Sequence, residues 1–539
     1  MSTVGALLGQ RLRRDRWQLV LWVGGTALLA IAAIGGVAQS YGTEADRREV
    51  LAAVAANPVI MLFRGLPSGA ELDAFTLFLI LPFLAMMAAF MSSFLAVRHT
   101  RMDEELGRAE LVAATPAGRT APLTATVLHG FGANLALAVL VAACFAGAGY
   151  APLGSIVSGL AAAAVGLVFL GVGLVAAQLM RTSRGANSLG VWVLLVSFVV
   201  CGLGNALGTP SADLQRIESS WLTWLSPFGW AENARPFADD AWWPLVLCGI
   251  VAVALTGLAF GLQRVRDLDG SFIAERAGRL DAPASLGSPL GLVWRLARGS
   301  VVGWAIGGLL TGALATSLGA VIDEIGTKIP AVEELFAALS KGGSLEQGMV
   351  VIFFTIVGVL AACAAVQTVT RARQEEAHGT AEQVLAAPVG RVRWLWAFLL
   401  VGLGAAFAVC AAAVLGAWLG VQAKGADASL SWDALVAGAG QLAAAAVFLV
   451  LTALVFVLAP RLTIALGWVL VLVALLLGMF GPLFGLPDWV TNLSPVAVTP
   501  VATADGVDVK GLWWLLGAVA AGGVLALGLM RRRELAAGD

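Results

Sequence analysis

Charge is scarce in this chain. Of its 539 residues only 12% are Asp, Glu, Lys or Arg, while 59% are hydrophobic. A water-soluble fold of this length needs far more charged surface, so a soluble protein is excluded. Lysine is scarcer still, with Lys328, Lys341, Lys424 and Lys510 the only four. A phosphate-binding P-loop ends in a Gly-Lys pair whose backbone N–H groups and ammonium hold the phosphates. None of the four lysines follows a glycine, so any ATP hydrolysis belongs to another polypeptide. The five cysteines, Cys144, Cys201, Cys248, Cys363 and Cys410, all fall in apolar runs, where a thiol behaves as a small hydrophobe. The three histidines, His99, His129 and His378, lack metal-ligand spacing and read as structural. Neither a disulfide framework nor a metal motif is implied.

What is present is a series of long apolar segments. They lie near 17–38, 74–97, 122–148, 155–179, 187–207 and 242–263, then 300–321, 348–369, 394–420, 433–458, 464–485 and 512–530. A helix needs roughly 20 apolar residues to cross a bilayer, so the expected fold is an all-α polytopic membrane protein of about 12 spans. Basic residues precede the first run, as in a signal peptide, but no A-x-A-like site closes it, and an uncleaved first helix is expected. With the N-terminus inside, 24 of the 33 Lys and Arg residues fall on inner connections. That satisfies the positive-inside rule and puts both termini in the cytoplasm, with all four lysines outside. No Asp, Glu, Lys or Arg falls near the middle of a span. Ion-coupled transporters keep ionisable residues there.

The two series are copies. RMDEELGRAELVAATPAGR at 101–119 aligns without gaps on RQEEAHGTAEQVLAAPVGR at 373–391, with ten of nineteen positions identical. Among these are Glu104/Glu376, Gly107/Gly379, Glu110/Glu382, Pro116/Pro388 and Arg119/Arg391. Each copy lies between the second and third span of its half. A second echo pairs Leu225-Ser226-Pro227 with Leu493-Ser494-Pro495, between the fifth and sixth spans. Arg13, Arg16 and Trp22 also match Arg295, Arg298 and Trp304. The expected organisation is a six-helix half at 1–263, a cytoplasmic linker leading into the second half at 264–299, and a second six-helix half at 300–539. Both halves share one orientation, a parallel duplication with a pseudo-two-fold axis along the membrane normal.

In the first copy Met102, Leu106, Ala109 and Ala113 recur at helical spacing. They predict a short amphipathic helix at the cytoplasmic surface, ended by Pro116 or Pro388. Such a helix either seals the bilayer surface or docks a partner, and matching carboxylates in both halves favour docking. The second copy, Glu376-x-x-Gly379-Thr380-x-Glu382-x-x-Leu385-x-x-Pro388, resembles the coupling-helix region of ABC-2 type permeases. The first departs from that pattern, with Arg108 and Ala113 in place of Thr and Leu. The fused layout is similar to the tetronasin or polyketide exporter permeases of high-GC bacteria. The resemblance implies the ABC-2, or type V exporter, fold in a bacterial plasma membrane. It implies a separate ABC ATPase, two copies of it, that uses ATP and Mg and docks at Glu104, Gly107, Glu110, Pro116, Glu376, Gly379, Thr380, Glu382, Leu385 and Pro388. This chain itself would bind no cofactor and no nucleic acid.

By the same analogy the second and fifth spans surround a cavity for a small apolar or amphipathic substrate. Phe75, Phe78, Phe83, Met86, Met87 and Phe90 in one half, and Phe353 and Phe354 in the other, are candidate contacts there or else packing and lipid-facing residues. The Leu-Ser-Pro elements are candidate outer gates. Trp221, Trp224, Trp230, Trp242, Trp243, Trp489, Trp513 and Trp514 read as an interfacial aromatic belt. Gly202, Gly204 and Gly208 read as a close-packing run. The expected function is the permease subunit of an ATP-driven exporter. An ion-coupled secondary transporter of 6+6 layout is the alternative, and no polar constellation supports a membrane enzyme.

Overall fold

The computed structural model describes residues 3–56, 61, 64–267, 270–273, 283–317, 345–424, 428–480, 487–503 and 506–534. Most of the expected outer loop at 322–347, with Lys328 and Lys341, lies outside the described residues. Among the described residues twelve helices are long and apolar enough to cross a membrane. The chain divides into two compact units, Met1–Ala277 and Gly278–Asp539, and each contains six of the twelve.

The first unit's spans are α1 (Thr3–Ser40), α3 (Leu72–Arg98), α6 (Ala121–Gly147), α7 (Pro152–Leu179), α8 (Ser183–Ala206) and α10 (Trp243–Val265). Shorter helices are α2 (Glu44–Ala56), α4 (Arg101–Glu105), α5 (Arg108–Ala113) and α9 (Pro227–Glu232). In the second unit the spans are α11 (Pro289–Ser317), α12 (Leu345–Ala377), α14 (Arg391–Lys424), α15 (Ser429–Leu458), α16 (Thr463–Leu475) and α18 (Lys510–Met530). Between them lie the short helices α13 (Thr380–Leu385) and α17 (Asp488–Thr491). The fold is an all-α polytopic membrane protein. Its strands are two short antiparallel hairpins among the described residues: β1 (Thr209–Pro210) with β2 (Ile217–Glu218), and β3 (Val501–Thr503) with β4 (Gly506–Asp508).

Several helices outrun the apolar segments that predict them. α1 begins at Thr3 and α11 at Pro289, because Arg- and Leu-rich turns sustain a helix as readily as apolar ones. In both units the second and fourth spans form the buried centre, α3 against α7 and α12 against α15. Backbone approach is set by small residues. A Cβ on Gly312 of α11 would stand 1.9 Å from the Ala413 carbonyl oxygen, and one on Gly416 of α14 would stand 2.0 Å from that of Leu309. Small residues four apart on both helices are what permit such packing.

α3 carries Pro82 in mid-span. Proline has no N–H, so the carbonyl of residue 78 loses its helical partner. The Gly65 N–H donates to the Phe78 carbonyl at 3.0 Å instead. Only glycine fits there, since a Cβ would stand 2.8 Å from that oxygen. The freed carbonyl thus fastens the segment that precedes α3.

Two expectations are corrected. Trp230 does not join an exposed belt: it is buried against Val168, Cys248 and Ala252, and its indole N–H donates to the Trp224 carbonyl at 2.7 Å. Trp221, Trp243, Trp489, Trp513 and Trp514 are exposed. In the glycine run, Gly204 lies against the 3-10 turn Trp221–Leu225 rather than a neighbouring span, with its Cβ position 2.6 Å from the Thr223 nitrogen.

Candidate functional site

The matching segments after the second span fold alike in the two units. Gly107 has φ +68 and Gly379 φ +73, left-handed values that glycine adopts without Cβ strain. Each glycine turns the chain between two helical pieces: α4 from α5 in the first unit, α12 from α13 in the second. The single amphipathic helix expected from Met102 to Ala113 is therefore broken. Its apolar spacing crosses a left-handed residue that ends one helix and starts the next, so those residues do not share one helical face.

The echoed residues then divide into two groups. Glu104 and Glu376 turn inward. Glu104 is paired with Arg101 at 2.8 Å and with Arg266, which follows α10. Glu376 accepts from Arg533, just past α18, at 2.7 Å, with Arg373 3.7 Å away. Arg119 and Arg391 complete each cluster by donating to the carbonyls of Arg266 and Arg533. Each unit therefore clamps its segment to the end of its own last span through one carboxylate and three arginines. Arg266 and Arg533 were not singled out from the sequence. The legible signal was a basic residue just beyond the sixth span of each half.

Glu110 and Glu382 face outward. Both are exposed and make no ion pair among the described residues. Around Glu110 stand the exposed Leu106 and Leu111. Beside Glu382 runs a groove lined by Leu385, Ala386, Val389, Gly390 and Arg391. Thr380 donates to the Glu375 carbonyl at 3.0 Å and fixes the start of α13. Pro116 and Pro388 sit in exposed turns after each element. At the arginine-rich end of the first unit a cavity of about 620 Å³ lies beside α4 and α5. Arg11, Arg14, Asp103, Arg108, Gln178 and Arg266 bound it, and Asp103 holds Arg14 and Arg108 at 3.1 and 3.2 Å.

The candidate substrate residues separate by depth. Phe83, Met86, Met87 and Phe90 are half-buried and recur at helical spacing along one side of α3. Phe75 and Phe78 are buried in a cluster with Leu51, Val54 and Ile217. Phe353 is half-buried and Phe354 fully buried in the second unit's core.

The Leu-Ser-Pro elements also share geometry. The Ser226 hydroxyl donates to the Ser197 carbonyl of α8 at 2.7 Å, and the Ser494 hydroxyl donates to the Ala474 carbonyl of α16 at 2.8 Å. Each buried serine ties its segment to the fifth span of its unit, while Leu225 and Leu493 are exposed. Pro227 opens α9, whereas Pro495 lies in a turn. α9 ends at Glu232, whose carboxylate accepts from Asn205 at 2.6 Å and from the Cys201 thiol at 3.4 Å. Complete burial pushes the Glu232 carboxyl up to about 7.

Two of the three histidines meet. His99 and His129 both turn Nε2 toward Oδ2 of Asp15, and all three side chains are buried. They come from the end of α3, from α6 and from α1, so no local spacing could have revealed them. His378 is exposed.

This chain resembles known permeases over almost its whole length. The family described as the C-terminal domain of multidrug efflux system permease Rv1217c matches residues 5–264 and 286–533. The chain belongs to this family. The multidrug efflux system permease protein Rv1217c of Mycobacterium tuberculosis (strain ATCC 25618 / H37Rv) is 34% identical over 541 residues, covering 99% of this chain and 95% of that protein. With twelve apolar helices, membership makes the chain a multi-pass membrane protein of the permease class. The family match resumes at residue 286, three residues before α11 opens the second unit's spans.

Proposed function

We propose that this chain is the transmembrane permease subunit of an ATP-driven ABC exporter of the ABC-2, or type V, kind. It moves apolar or amphipathic small molecules, drugs and antibiotics among them, out of the cytoplasm across a bacterial plasma membrane. Two copies of a separate ABC ATPase subunit, using ATP and Mg, dock on the segments that contain Glu110 and Glu382. Both chain termini and both docking segments are cytoplasmic, as the arginine distribution favours.

The observation that carries this reading is the repeated division of labour within each segment. One carboxylate turns inward and is clamped to the last span, and another, six residues on, is exposed and makes no ion pair among the described residues. A segment that only sealed the bilayer surface would need no rigid link to a distant helix end. A segment that receives mechanical work does, because force applied at Glu110 or Glu382 must reach the helix bundle without being lost in a loose connection. The second segment, with its groove beside Glu382, is the stronger docking site.

For the cargo, the half-buried row Phe83, Met86, Met87 and Phe90 offers deformable apolar contact, and methionine adapts to varied shapes. Phe353 is its partner in the second unit. Phe75, Phe78 and Phe354 support packing. Ser226 and Ser494 hold outer segments that close the exit. The printed name of the Mycobacterium tuberculosis relative, a multidrug efflux permease, agrees with an apolar and varied cargo. A proton-coupled secondary transporter of 6+6 layout is the rival, and Glu232 is the residue that favours it. Glu232 stands outside the twelve spans, however, and among the described residues no carboxylate lies in the middle of a span's apolar stretch.

Purification of the tagged chain from its native membranes tests the reading. It should bring down an ATP-hydrolysing subunit at two copies per chain, and the Glu110→Lys/Glu382→Lys pair should lose it. Full transport by a preparation without any ATPase contradicts the proposal.

A further inference from the structure

We propose that Asp15, His99 and His129 form a binding site for one divalent transition-metal ion, with zinc the best match. Among the described residues this is the one group of three or more potential metal ligands, and its donor atoms all lie within 4.8 Å of one another. Two ligands about 2.1 Å from a tetrahedral ion stand about 3.4 Å apart, and His129 Nε2 lies 3.3 Å from Asp15 Oδ2. Two imidazoles and one carboxylate suit zinc or a neighbouring first-row ion, and a fourth position is left for water.

The surroundings of His99 fit a metal better than a hydrogen-bonded triad. If both imidazoles only donated through Nε2 to Asp15, each would bury an unprotonated Nδ1, and both Nδ1 atoms lack a hydrogen-bond partner. When Nε2 instead binds an ion, Nδ1 carries the hydrogen. On His99 that N–H then faces Asp103 Oδ2, 3.8 Å away, and a carboxylate behind a ligating imidazole is the usual outer-shell arrangement. Arg98 takes the other oxygen of Asp15, Oδ1, at 3.2 Å, which leaves Oδ2 turned toward the two rings. The Arg11 guanidinium donates to the Pro122 carbonyl and the Thr126 hydroxyl at 2.8 Å and to the His99 backbone carbonyl at 3.2 Å. His99 also borders the 620 Å³ cavity.

The second unit provides an internal control. Carried beyond the aligned segment, the same 272-residue offset sets Arg371 at the position of His99 and Val401 at that of His129, and the offset of the first-span match sets Ala297 at that of Asp15. Val401 and Ala297 lie in an apolar core. A six-helix unit of this kind therefore folds without the triad, and the first unit's three buried ionisable groups answer to another requirement. His99 stands two residues before Arg101, the start of α4. An ion there pins α1, α3 and α6 together at the root of the first docking segment and leaves the second without such a staple.

The test uses the full-length chain purified without chelator. Elemental analysis should find about one zinc-class ion per chain, and cobalt(II) exchange should give the visible d–d bands of a low-coordinate nitrogen and oxygen site. Asp15→Asn and His129→Gln should each abolish stoichiometric binding, His378→Gln should leave it intact, and Asp103→Asn should weaken it about 10–100-fold. Two results overturn the proposal: wild-type chain offered zinc or cobalt that gains neither stoichiometric metal nor d–d bands, and binding that persists in the His99→Gln/His129→Gln double variant. The cobalt spectrum of the wild type needs no variant, so poor folding of a substituted chain does not spoil the experiment.

Discussion

One guanidinium nitrogen of Arg533 donates to both carboxylate oxygens of Glu376, at 2.7 Å each. The pair is nearly sealed from water, with the Glu376 side chain 1% and the Arg533 side chain 9% exposed, and Arg533 also lies over the Phe456 ring at 4.3 Å. Removing Arg533 takes the nearest cation from a buried carboxylate, whose other arginine, Arg373, stands 3.7 Å away. Arg533→Ala is expected to cost about 3–5 kcal/mol, while Arg533→Met with Glu376→Leu recovers most of the loss. Thermal unfolding of the three chains in detergent checks this.

The exposed carboxylates should behave in the opposite way. Glu110→Lys and Glu382→Lys touch nothing buried, so each should change stability by less than about 0.5 kcal/mol. Each should nonetheless reduce ATPase-coupled transport, with Glu382→Lys the more damaging. Parallel unfolding and transport assays separate the two effects. A transport loss explained by a fall in stability would remove these residues from the docking role.

The glycine hinges make a third prediction. No atom lies within 4 Å of a Cβ built on Gly107 or Gly379, so alanine meets only backbone strain there. Gly107→Ala and Gly379→Ala should each cost about 1–2 kcal/mol, and asparagine less. Hydrogen exchange should report the change locally, in α5 or α13, with the spans unaffected.

Glu232 links stability to pH. Burial pushes its carboxyl up to about 7 in the folded protein, from an ordinary value of 4.5. Between those values the native chain holds a proton that the unfolded chain has lost, so this contribution is full below the lower value and disappears as pH rises through the upper one. Unfolding midpoints should fall with rising pH over that window, and Glu232→Gln should flatten the dependence.

Much of the fold was legible in the sequence because membrane spans are written locally. A helix that satisfies its own backbone in lipid needs only a long apolar run, and among the described residues all twelve runs are helical. The duplication was legible too, since ten identical residues in nineteen need no tertiary information. The clamps were not. Glu376 is 157 positions from Arg533, and Glu104 is 162 from Arg266, so a reading of the segment alone gave all four carboxylates one role. The break at Gly107 was hidden because apolar spacing is blind to a left-handed φ. Trp230 was misplaced because burial depends on what packs over it. Asp15, His99 and His129 come from three separate helices, and only the packing of α1, α3 and α6 joins them.

The most direct test of the account is uphill transport of an amphipathic dye in proteoliposomes. The chain is reconstituted alone under an imposed pH difference, and then with the co-purified ATPase and Mg-ATP. The account predicts no accumulation by the chain alone, accumulation with ATPase and ATP, and its loss in Glu382→Lys. Accumulation driven by the pH gradient without the ATPase would contradict it and favour a proton-coupled transporter.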